Sequence, residues 1–216
     1  MKKTLSFPAV FFGVFIHPRQ TTKEIIKNQY YSFRMPVVIF NSFLTSLNPI
    51  LLFWLISYLP FAEAYTVTVF LTFGLGVLCF FPISRLIWWM GTRFQGKGTL
   101  EEVRTACALN YMPMMVAAFL TIILNLPGLI TLLASTTNLN NLTENDFLKS
   151  ENPFSGFIVG IFATWSTVIS IISVSEAHQF SIGESIKTSL SLMAIFVGIW
   201  ALFAVAVMLF VRLYQK

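Results

Sequence analysis

Residues 65–90 read YTVTVFLTFGLGVLCFFPISRLIWWM, twenty-six positions with a single charge, Arg85. At about 1.5 Å per residue a helix of this length reaches about 39 Å, more than the roughly 30 Å of a bilayer's hydrocarbon. The run does not alternate apolar with polar, so the period-two pattern of a membrane β-barrel strand is absent. A spanning helix is the reading. Arg85 lies near one end of it, where its long side chain reaches the headgroups beside Trp88 and Trp89.

Working outward, the same pattern recurs. Four further apolar runs, about 35–59, 110–133, 157–174 and 189–214, qualify as spans, in a chain that is 56% hydrophobic and only 11% charged. A soluble core does not absorb such a composition, with 23 Phe among 216 residues. The predicted fold class is an all-α integral membrane protein: five transmembrane helices preceded by a short interfacial amphipathic helix. Residues 1–34 form the N-terminal segment and 35–214 one membrane domain. The early run FPAVFFGVFI is too short for a span and lacks a small-residue cleavage site, so it is expected to stay on the mature chain.

The basic residues orient this plan. With the N-terminus inside, Lys2, Lys3, Arg19, Lys23, Lys27, Arg34, Arg85, Arg93, Lys97, Arg104 and Lys187 face the cytoplasm, against Lys149, Arg212 and Lys216 outside. Basic residues are retained on the cytoplasmic side. The expected location is therefore the cell membrane, multi-pass, with a cytoplasmic N-terminus and an outer C-terminus. The Asn-rich segment around NLT, Asn141–Thr143, then lies in an outer loop, where it has the form of a glycosylation acceptor.

The interfacial helix is read from FIHPRQTTKEIIKN, residues 15–28. Pro18 suits a first helical position, where its missing N–H has no partner to lose. Ile25, Ile26 and Tyr30 share one side, and Arg19, Lys23 and Lys27 repeat every four residues on another. Such a helix lies on the inner leaflet and draws anionic lipid headgroups to its cations. A plain topology signal also accounts for these charges.

Within the spans, small and polar residues fall in stripes: Asn41, Thr45 and Asn48; Thr68, Thr72 and Gly76; Asn110, Ala117, Thr121 and Asn125; Ser166, Ser170 and Ser173. They let helices approach and hydrogen-bond in lipid, or they line a polar path. No Asp, Glu, Lys or His lies inside the hydrocarbon, so intramembrane proton relays lack their carriers. His17, Glu176 and His178 are the nearest approach to a metal set, one ligand short of a tetrahedral site. The EEVR at Glu101–Arg104 pairs glutamates as some intramembrane proteases do, without their histidine; Thr99 capping a helix that begins near Glu101 and Glu102 explains it better. Cys79 and Cys107 read as packing residues. No cofactor, metal, nucleic-acid or catalytic site is expected.

Three stretches resemble bacterial Yip-domain proteins, relatives of the Ypt/Rab-interacting membrane proteins: HPRQTTKEI at residues 17–25, GTRFQGKGTLEEVRTACALNYMPMM at 91–115 and WSTVISIISVSEAHQFSIGESIKTSL at 165–190. The resemblance implies five spans with a cytoplasmic N-terminus. What it implies about function is limited, and Rab binding does not carry over to a bacterial setting. The leading expectation is a non-catalytic, partner-binding or accessory subunit, its partners other membrane proteins such as a transporter complex, with a homo-oligomer as a further arrangement. A lipid or small-solute transporter using the polar stripes is the alternative. Partner-surface candidates are His17, Pro18, Arg19, Thr22, Lys23, Lys97, Glu176 and His178. Gly96 and Gly98 are expected to supply conformational freedom for a turn that Thr99 closes.

Overall fold

The computed structural model describes residues 6–47, 61–135 and 152–214. Among them are seven helices: α1 Phe7–Ile16, α2 Pro18–Asn28, α3 Arg34–Ser46, α4 Phe61–Arg93, α5 Leu100–Ser135, α6 Pro153–His178 and α7 Ile182–Tyr214. Four of these, α4 to α7, are long and apolar enough to cross a membrane. The expected first span matches α3 over its first turns, and its remainder falls at residues 48–60, outside the described residues, so four described crossings stand where five were expected. The Asn141 motif also lies outside them.

Each long helix outruns the apolar segment that revealed it. Hydropathy marks where lipid lies, whereas helix continues wherever backbone and caps allow. Thus α5 starts at Leu100, not near Asn110, because Thr99 and Glu102 form a reciprocal capping box: Thr99 N donates to Glu102 Oε2 at 2.7 Å, and Glu102 N donates to Thr99 Oγ1 at 3.3 Å. The final connection contracts to Gln179–Ser181, where Gln179 takes a left-handed C-cap with φ 57°. Pro82, Pro113 and Pro127 lie within helices, a tolerance seen in membrane helices, where neighbours satisfy the freed groups.

One unexpected element is α1. FPAVFFGVFI is a helix of its own, apolar on every side, with Phe12 and Ile16 largely exposed and Val10 and Val14 fully buried. It ends at His17, turns at Pro18 and continues as α2. A Cβ on Gly13 would stand 2.5 Å from Thr21 Oγ1, so the α1–α2 hairpin closes only over a glycine.

α5 is the hub, packed on α6, α3 and α4, while α7 touches α4 and α6 at the periphery. The core gathers toward one end: Val10, Val14, Ile25, Val37, Val38, Val103, Ala106, Leu109, Met112, Ile169 and Ala177 are essentially inaccessible. That end carries α2 and is called here the basic end. The polar stripes are used in part for packing. Ser166 Oγ donates to the Asn110 carbonyl at 2.9 Å, Ser42 meets Gly76 closely, and Asn125 Oδ1 accepts from Asn152 N at 2.7 Å.

Candidate functional site

Two of the motifs singled out above meet at the basic end. α2 docks on the last turns of α6 through three layers. Ile25 is buried beneath. Thr22 Oγ1 donates to the Pro18 carbonyl at 2.8 Å and lies 2.9 Å from Ser173 Oγ. On the rim, Arg19 Nε donates to Glu176 Oε1 at 2.5 Å. The pair is charge-assisted, yet the arginine is mostly exposed and the glutamate mostly covered. Lys23 and Lys27 point away, exposed and in no ion pair among the described residues. Glu184, in the first turn of α7, pairs with Lys187 at 2.8 Å.

The second meeting point is His178. It is fully buried, stacked on Phe180 with ring centroids 5.0 Å apart and planes within 6°. Three glycines wall it in. A Cβ on Gly91 would stand 2.1 Å from Nε2, one on Gly96 2.4 Å from Nδ1, and one on Gly98 2.3 Å from the Ala177 carbonyl. No side chain fits at these positions. The α4–α5 turn is then tied to α6 by Lys97 N donating to the His178 carbonyl at 2.9 Å, while Trp88 Nε1 donates to the Gly98 carbonyl at 3.0 Å. Neither ring nitrogen has a hydrogen-bond partner among the described residues. The imidazole is packed as a flat plate.

Two expectations change here. Gly96 and Gly98 are not present for their freedom at positive φ, because no described glycine has one; the left-handed residue of the turn is Gln95, with φ 64°. They are there for space, since the His178 side chain and α6 backbone occupy their Cβ positions. Likewise His178 and Thr22, named as surface candidates, are buried, so they shape the site from beneath and present nothing to a partner. His17 and Arg19 are exposed, as are Lys23 and Lys97, and Pro18 sets the bend behind them. No group of three metal-ligating side chains occurs among the described residues. Sequence reasoning missed Gly91 and Phe180 and gave Ser173 only as part of a packing stripe; the spacing of three glycines within eight residues hinted at a packed ring.

A third cluster closes the other flank. Glu101 at the start of α5 accepts from Arg34 and, at 2.9 Å, from Arg104. The Arg34 guanidinium lies over Tyr31, 5.0 Å from the ring centroid, and donates to the Glu101 carbonyl at 3.2 Å. Burial, with Glu102 adding to it, raises the Tyr31 phenol, and Arg34 opposes them.

Long apolar helices, with polar contacts gathered at one end, define a multi-pass membrane protein. Residues 12–208 match the model of the Yip1 domain, and the chain belongs to that family. No curated protein and no solved structure matches it.

Proposed function

We propose that the protein is a non-catalytic subunit of the cell membrane that holds a partner, another membrane protein such as a transporter, on the cytoplasmic face formed by its basic end. The observation that supports this most is the contrast inside the platform. Arg19, Thr22 and Ile25 clamp α2 onto α6, while Lys23 and Lys27 on the same helix stay exposed and in no ion pair among the described residues. A helix held rigidly with free cations outward is preorganised for an acidic partner segment, since little ordering remains to be done on binding. Lys97, on the turn anchored to His178, extends the same surface.

The test is co-purification in mild detergent. Lys23→Glu with Lys27→Glu should abolish capture of the partner recovered by wild type, at equal folded yield. Equal recovery overturns the reading.

One observation favours the alternative, transport of a lipid or small solute. Asn41 Oδ1, Thr68 Oγ1 and Thr121 Oγ1 are buried without partners among the described residues, on α3, α4 and α5, which pack together, and buried polar atoms left unpaired are costly. Flux of labelled lipid or solute into liposomes carrying the pure protein, lost on Thr68→Val, is the outcome that reading requires.

A further inference from the structure

Arg34, Arg85 and Arg104 outnumber the acids beside them. Glu101 serves both Arg34 and Arg104, and Glu102 is turned to the Thr99 cap. Arg104 lies over the Phe81 ring, 5.5 Å from its centroid, and its Nε is buried without a partner among the described residues. Arg85 follows Phe81 by four residues, hence on the same face of α4, and is exposed and in no ion pair among the described residues. Trp88 and Trp89 just beyond it mark the headgroup level. The exposed Arg85 guanidinium, at that level and beside the half-covered Arg104, calls for an anion from outside the chain.

Below this cluster, α1, α3, α4 and α5 leave an open groove of about 580 Å³, lined among others by Phe7, Val37, Ile39, Phe40, Phe73 and Met115 and almost without polar surface. It continues the cluster. Pro36, also on its wall, is two residues from Arg34, and Met115 is eleven residues from Arg104, which at 100° per residue leaves the two within about 20° on α5.

The groove's size selects its occupant. One turn of helix about 10 Å wide and 5.4 Å tall fills on the order of 420 Å³, so a spanning partner helix does not fit. A single acyl chain does, within the roughly 300–1,000 Å³ of ligand pockets. The geometry points to a site for one anionic phospholipid in the leaflet on the α2 side, its phosphate on Arg85 and Arg104 and one acyl chain in the groove. Lipid tails outside are as apolar as the groove, so selectivity comes from the charge and the fit.

Native mass spectrometry of the full chain, titrated with phosphatidylglycerol, phosphatidylethanolamine or inorganic phosphate, tests this. Wild type should retain one phosphatidylglycerol about tenfold more tightly than the zwitterionic lipid, the scale of one charge-assisted contact, and inorganic phosphate should displace none of it. Arg85→Gln should remove that preference at unchanged thermal stability, and Arg85→Lys should restore most of it. Ile39→Trp, at a half-exposed groove position, should weaken retention of both lipids. Equal retention of the two lipids by wild type, or no change in Arg85→Gln, overturns the site. Displacement by inorganic phosphate, or no change in Ile39→Trp, overturns the acyl-chain assignment.

Discussion

α5 and α7 are similar in length and both apolar enough to span, yet their most apolar windows are 44% and 11% buried. Side-chain size contributes to the difference. α5 presents Ala106, Cys107, Ala108 and Ala117 to three neighbours, whereas α7 carries Leu190, Met193, Trp200 and Leu202 outward. In lipid, small residues let backbones approach and so gain dispersion contacts, while large ones facing acyl chains lose nothing by staying exposed. Apolarity inserts both helices, and the small residues of α5 help it to serve as the hub.

The comparison is most sharply tested at two helical glycines. Gly91 at the end of α4 faces His178, and Gly198 in α7 has nothing within 4 Å of its Cβ position. Gly91→Ala should collapse the folded yield in detergent, and adding His178→Ala should recover much of it by vacating the clash. Gly198→Ala should be neutral or stabilising by up to about 1 kcal/mol, from helix propensity. Thermal unfolding of the four proteins decides it. If Gly91→Ala unfolds like wild type, the glycine cage is not a constraint.

Next in size comes overpacking at the hub. Ala108→Leu should cost about 1–3 kcal/mol, against within about 0.5 kcal/mol for Leu202→Ala on the outer face of α7. Similar losses at both sites would erase the distinction between hub and periphery.

The smaller effects concern how α2 is held. Thr22→Val leaves Ser173 Oγ without its buried partner and should cost about 1 kcal/mol, read as faster proteolysis within α2. Arg19→Glu should cost no more than about 1 kcal/mol, because the arginine side chain is 68% exposed and its pair is screened. The swap Arg19→Glu with Glu176→Arg should restore the loss. Failure to restore it assigns the cost to something other than the ion pair.

Much of the platform was legible beforehand. Pro18 announced the start of α2, the Thr99–Glu102 spacing announced the start of α5, and Arg19 and Glu176 both stood among the surface candidates. Less legible was α1, because ten apolar residues without periodicity resemble neither a span nor an amphipathic helix. The burial of His178 was not legible, since nothing local distinguishes a caged imidazole from a surface one.

By itself the sequence determined that the chain is a helical, multi-pass membrane protein, where its long apolar helices run, and which capping residues begin them, because hydropathy and caps are local quantities summed along the chain. The tertiary structure decided which face of each helix is protein and which is lipid, why three glycines stand where they do, and that the Arg19, Lys23 and Lys27 helix is clamped to α6. These depend on which atoms from distant segments claim the same space. That is a property of packing, and no window of sequence contains it.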